Sequence, residues 1–212
     1  MLNLPSSTEF GRRVPKQKFY EHLDVSPEVK RLFIDQIKLI TWANKLSPQT
    51  MNLGAGQTVA EIEVFHIRLT GQELDKRTLE LMDRQIPYHI LFVLERPDGQ
   101  MQLRISYKEA AQSGDNAFRL RQSYATEFAS PGSLTLPLNA LDMDGLYASI
   151  VRAIAGDALS APEQPLEQAV AQAQEKEKLQ RQITQLKAKM KKEKNLGKQM
   201  ELRREIRRLE DG

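Results

Sequence analysis

From Ile86 to Leu94 the chain is almost continuously apolar, and a run of that length has few places to go. It falls well short of the roughly 20 residues that a membrane-spanning helix needs. It therefore reads as a buried central strand. Pro97-Asp98-Gly99 supplies a turn, and Met101 to Lys108 runs back as a hairpin partner. In that partner Met101, Leu103, Ile105 and Tyr107 face one way, and Gln102, Arg104, Ser106 and Lys108 the other.

Other elements gather around this hairpin. Val59 to Leu69 is rich in β-branched and apolar residues and predicts a strand, and Gln72 to Gln85 predicts an amphipathic helix through Leu74, Leu79, Leu81 and Met82. Phe118 to Phe128 alternates again, with Arg119, Arg121 and Ser123 opposite Phe118, Leu120 and Tyr124. A first helix starts at Ser26-Pro27, serine as cap and proline at the first helical position. Its apolar stripe continues through Val29, Leu32, Phe33, Ile37 and Ile40, and a short strand in ITWANKL follows, closed by Ser47-Pro48. Asn139 or Asp142 caps a last domain helix through Leu146, Ile150, Val151 and Ile154, ending near Gly156. The expected fold is α+β: a mixed, largely antiparallel sheet with flanking helices, followed by a C-terminal helical coiled-coil tail. The expected boundaries are an irregular basic arm at 1–20, the α+β domain at 21–156, a linker at 157–165 and the tail at 166–212.

The tail carries the charge. The net charge of the whole chain is +3, yet from Glu175 onward 13 Lys/Arg stand against 7 Asp/Glu. Attraction to nucleic acid or to an acidic partner is expected there first, with Lys187, Lys191, Lys192 and Lys194 as candidate contacts. Leu179, Ile183, Leu186 and Met190 follow the 4-3-4 spacing of a coiled-coil seam, and Leu202, Ile206 and Leu209 continue it in another phase. The change of phase falls at Asn195-Leu196-Gly197. Either the helix stutters or, as favoured here, it turns into an antiparallel hairpin with Gly197 as a cap. Two heptads per arm are marginal alone in water. The tail should therefore bury its ridge against its own domain, a second copy or another protein.

Recognisable catalytic chemistry is sparse. There are no cysteines, which excludes disulfides and thiol nucleophiles and fits a reducing, cytoplasmic setting. The first residues, MLNLPSSTEFGRR, have no apolar core of a signal peptide. His22, His66 and His89 show no metal-ligand spacing, and Gly54-Ala55-Gly56 is too short for a phosphate loop. Glu61 and Glu63 point the same way on one strand and, with Lys108, make an incomplete version of a Mg²⁺-dependent nuclease site, because Ser106 stands where an acid is wanted. Arg104, Lys108, Arg119 and Arg121, extended by Lys16 and Lys18 of the arm, would form a basic stripe if their strands are neighbours. The plainer reading of that stripe is a solvated face balanced by nearby acids. No catalytic residue, metal or cofactor is assigned from these patterns.

Several segments together carry a resemblance. They are Val14-Pro15-Lys16-Gln17-Lys18-Phe19-Tyr20, the run from Ile37 to Ser47, and Glu61 to Leu69. Ile86 to Phe92, Ile105 to Glu109 and the tail from Lys191 to Leu202 complete the set. Over nearly its whole length the chain resembles a bacterial family named only as a domain of unknown function. The resemblance implies genes that lie in restriction–modification-like or phage-defence clusters, beside a helicase and a site-specific DNA methyltransferase. It implies an accessory subunit that docks to either partner and contacts DNA backbone, and it brings no catalytic residues. At Asn195-Leu196-Gly197 the chain departs from the aromatic and polar stretch of the relatives. Two rival expectations stand beside this one: a stand-alone DNA-binding module, and the nuclease built on Glu61, Glu63 and Lys108.

Overall fold

The computed structural model describes residues 2–21, 25–110, 118–159 and 163–211. The chain divides into two compact units, residues 1–160 and 161–212. Unit 1 holds β1 (Glu9–Val14), α1 (Pro27–Gln36), β2 (Ile37–Leu46), α2 (Pro48–Met51), β3 (Ile62–Leu69) and α3 (Lys76–Gln85). It continues with β4 (His89–Glu95), β5 (Met101–Ala110), β6 (Phe118–Ala125) and α4 (Met143–Ala155). The six strands form one open sheet in sequence order. Every neighbouring pair is antiparallel except β3 and β4, which run parallel and are joined through α3. That single crossover makes the sheet mixed, since parallel neighbours cannot be linked by a tight turn.

Both faces of the sheet centre are covered. Phe65, Ile67 and Leu69 of β3 with Ile90, Phe92 and Leu94 of β4 pack against Phe33 of α1 and Leu79 and Met82 of α3. On the other face Leu91, Val93, Leu103, Ile105 and Tyr107 are buried, and α4, which packs on β5 and β6, buries Met143, Leu146, Tyr147, Ile150, Val151 and Ile154. A strand between two helical layers has no polar face, which is why β4 reads as an unbroken apolar run. The turn between β4 and β5 closes with Gly99 N–H donating to Arg96 C=O at 3.0 Å, and Gly99 takes φ +83°, open to glycine at little cost.

Two expectations are corrected. The first twenty residues are not an irregular arm throughout, because β1 pairs with β2, Arg12 opposite Trp42 and Val14 opposite Ile40. The first helix stops at Gln36, and Ile37 and Ile40 belong to β2. Both are fully buried, and the register of β2 on β3 shifts between Ile37 and Leu39. A bulge adds one residue to a strand, so apolar residues three apart turn to the same side, as they would on a helix.

The loop before β3 shows what Gly54-Ala55-Gly56 does. Backbone N–H groups of Gln57, Thr58 and Val59 donate to the Asp144 carboxylate at 2.7, 3.1 and 2.8 Å, and the Thr58 hydroxyl adds a bond of 2.9 Å. Burial alone would raise the pKa of Asp144, but these donors outweigh it and hold the group below its ordinary value. Asp144 also lies in the first turn of α4, where a negative charge is favourable. Gly56 is required for the close approach, since a Cβ there would sit 2.6 Å from both Asp144 Oδ1 and Val59 O.

Unit 2 is a pair of helices, α5 (Leu166–Lys192) and α6 (Leu196–Asp211), packed on each other as an antiparallel hairpin. Lys187 Nζ of α5 meets Glu210 Oε1 of α6 at 2.6 Å. The turn is made differently from expectation. Asn195, not Gly197, is the capping residue: its side chain accepts from Lys198 N–H at 3.1 Å and its carbonyl from Gln199 N–H at 3.0 Å, so it starts α6. Of the expected linker, residues 157–159 belong to a 3-10 turn with Leu159 buried, while residues 160–162 lie outside the described residues.

Gly56→Ala is expected to destabilise unit 1 by about 1–3 kcal/mol through this overpacking. Gly71→Ala, where a Cβ meets nothing within 4 Å, should stay within about 0.5 kcal/mol of the parent. Urea unfolding of the two variants checks the difference.

Candidate functional site

Lys108 was expected on an exposed basic stripe, and the structure corrects this: its side chain has no solvent exposure. The alternation of β5 does place it with Arg104 and Ser106, but that side of the sheet lies under α3. The ammonium is 3.0 Å from Asp83 Oδ1 and donates to the backbone carbonyls of Asp83 at 2.9 Å and Tyr88 at 2.7 Å. Asp83 is two residues from the end of α3, so Lys108 neutralises a buried acid and caps one late helical carbonyl with the same group. Ser106 completes the acid's environment, donating to Asp83 Oδ2 at 2.6 Å, with Ser123 Oγ 2.8 Å behind it.

From the other face, the Tyr147 hydroxyl accepts from Lys108 N–H at 3.1 Å and donates to Ser106 C=O at 2.8 Å. This contact lies beside a register shift between Tyr107 and Lys108, where β6 inserts an extra residue, Arg121. Burial pushes Asp83 up and Lys108 down, and their mutual attraction opposes both shifts. His89, whose ring lies 4.3 Å from that of Tyr147, is pushed down to about 4 by burial and then by the Lys108 charge. It is neutral at physiological pH.

The nuclease grouping does not assemble around Lys108. Its ammonium donates to two backbone carbonyls and pairs with Asp83, so it is committed inside the protein. Glu61 and Glu63 lie instead with β2: Glu61 Oε2 is 2.6 Å from Lys45 Nζ, and Glu63 Oε2 accepts from Trp42 Nε1 at 2.7 Å. Among the described residues no three His, Cys, Asp or Glu side chains converge to hold a metal ion.

The remaining stripe is interrupted by an acid. Arg119 and Arg121 are exposed and Arg104 is half-buried, but Arg119 stands opposite Glu109 and Arg121 Nε lies 2.6 Å from Glu109 Oε2. Lys16 is committed as well. Its ammonium donates to the carbonyls of Ile34 at 3.2 Å and Ile37 at 2.6 Å, capping the end of α1, and burial lowers its pKa. Lys18 is exposed. His66 lies 2.6 Å from Glu95 across β3 and β4, and His22 falls outside the described residues.

In unit 2 the expected seam is the inward side of the hairpin. Ile183, Leu202 and Ile206 are buried, and Leu179, Leu186, Met190 and Leu209 are half-buried. Between positions 187 and 208 there are ten Lys/Arg residues against three Asp/Glu. All ten, including Lys187, Lys191, Lys192 and Lys194, are exposed. The four arginines of α6, Arg203, Arg204, Arg207 and Arg208, were not among the sequence candidates. Their pairing around Ile206 in a RREIRR run was the available signal.

A family model described as Domain of unknown function (DUF4391) matches residues 2–212. The chain belongs to the DUF4391 family. No curated protein and no solved structure is matched by it. The DUF4391 match spans both units, so the basic hairpin is part of the family's domain and not an addition to it.

Lys108→Ala should cost about 3–5 kcal/mol by leaving Asp83 buried without its counter-charge. Replacing both partners, Lys108→Met with Asp83→Leu, should recover most of that loss. A double-variant cycle by chemical unfolding distinguishes this structural pair from a catalytic lysine whose loss leaves stability unchanged.

Proposed function

We propose that this chain is a non-catalytic accessory subunit of a bacterial DNA-targeting defence complex of the restriction type. It docks through α5 and α6 onto a helicase or a DNA methyltransferase, and the same surface contacts DNA backbone. The observation that carries the proposal is the excess of ten exposed cations over three acids between residues 187 and 208. Lysines and arginines in such density suit an acidic protein groove or a row of phosphates. The tail has no aromatic residue, so the contact is to charge and not by base stacking. The 4-3-4 seam is that of a coiled coil, and its half-buried members leave room for a third helix from a partner or a second copy.

Unit 1 supports the non-catalytic part of the reading. Its lysine candidate for chemistry is saturated by Asp83 and two carbonyls, and its glycine-rich loop already holds Asp144. Among the described residues no helix is long and apolar enough to cross a membrane.

Two measurements test the proposal. Co-expression with the products of neighbouring genes should recover a complex with the full chain and lose it when residues 163–212 are removed. Equal recovery would take the tail out of the account. Duplex DNA affinity should fall with salt by roughly 0.9 log unit per log unit of salt for each neutralised phosphate. Charge reversal at Lys191, Lys192 and Lys194 should flatten that slope, and Arg119→Ala with Arg121→Ala should leave it unchanged.

A further inference from the structure

The parallel step of the sheet ends in an open cleft. β3 and β4 run side by side, with Arg68 opposite Glu95 near their carboxyl ends. There a cleft of about 480 Å³ is lined by Lys38, Arg68, Thr70, Glu95 and Arg96. Its charges are three cations against one acid. In open α/β sheets ligands bind outside the carboxyl ends of parallel strands, and this cleft has that position.

Arg96 is held ready for a ligand. Its Nε donates to Gln72 C=O at 2.7 Å, and its guanidinium lies 3.5 Å over the Phe128 ring. That bond uses one of five N–H donors, and the stacking fixes the plane of the rest. Lys38 and Arg68 are exposed, and among the described residues neither forms an ion pair. Glu95, the acid of the cleft, is engaged with His66 at 2.6 Å.

His66 lines a second cleft, of about 350 Å³, on the same side of the sheet. The two clefts therefore meet at the His66–Glu95 pair. The second is mixed in character. Ala43, Val64 and Val93 are apolar, while Glu9, Thr41 and Asn44 offer hydrogen bonds. An anion is favoured among the cations of the first cleft and disfavoured beside Glu9 in the second. We propose that the joined clefts bind a small phosphate monoester of the mononucleotide class. Its phosphate lies among Lys38, Arg68 and Arg96, and its uncharged body lies beside Thr41, Ala43 and His66. Arginine grips a phosphate through two parallel bonds, and small-molecule sites are concave, with few polar groups on an apolar lining.

Isothermal titration calorimetry of the full chain with the four ribonucleoside monophosphates, their nucleosides and inorganic phosphate tests the site. One monophosphate should bind more tightly than either inorganic phosphate or its own nucleoside. Lys38→Ala with Arg68→Ala, both exposed, should weaken it by about tenfold or more. Ala43→Leu, which fills the second cleft, should weaken the monophosphate and spare inorganic phosphate. Charge reversal at Lys191, Lys192 and Lys194 of the hairpin should leave the affinity unchanged. No binding of any monophosphate, affinity that follows the hairpin charges, or affinity unmoved by the Lys38 and Arg68 changes would overturn the proposal. So would inorganic phosphate binding as tightly as every monophosphate, because the second cleft would then hold nothing.

Discussion

The buried pair of Lys108 and Asp83 is the constraint on which unit 1 depends. It fastens the end of α3 to β5 and, through the Tyr88 carbonyl, to the entry of β4. The parallel step from β3 to β4 runs through α3, so this one contact holds the single crossover of the sheet. A charge removed from water is costly, and only a partner with complete hydrogen bonding offsets that cost. Ser106 from β5 donates to the Asp83 carboxylate, and on the other face Tyr147 from α4 holds the β5 backbone at Ser106 and Lys108. The pair is therefore structural: the lysine that could have served a nuclease is buried against Asp83 and two backbone carbonyls.

Much of the fold was legible because it follows from period and punctuation. The β4–β5 hairpin came from an apolar run, a Pro-Asp-Gly turn and strict alternation. Of the two caps open for α4, Asn139 and Asp142, the structure uses Asp142, which accepts from Gly145 N–H at 2.8 Å. The misreadings share a cause. A period of two says which residues face the same way, not whether that face meets water or a helix, so the alternation of β5 puts Lys108 on a basic stripe without showing that α3 covers it. The bulge in β2 gave Ile37 and Ile40 a helical spacing. The partner of Gly56 lies in the first turn of α4, far along the chain, and nothing local announces it.

The two units divide the labour differently from a typical small enzyme. In unit 1 the Lys108 ammonium, the Ser106 hydroxyl and the Tyr147 hydroxyl are each bonded to other protein groups. In unit 2 the apolar ridge is thin and the outward surface is densely cationic. The family match covers both, and the reading of the hairpin as the docking element joins its charge to the absence of free chemistry at Lys108.

Hydrogen exchange tests the central claim most directly, comparing the chain alone with the chain bound to its neighbouring gene products and duplex DNA. The account predicts new protection concentrated in α5 and α6, between residues 187 and 208, with β5 unchanged. Protection centred on Glu61, Glu63 and Lys108, with the hairpin exchanging as in the free chain, would contradict it.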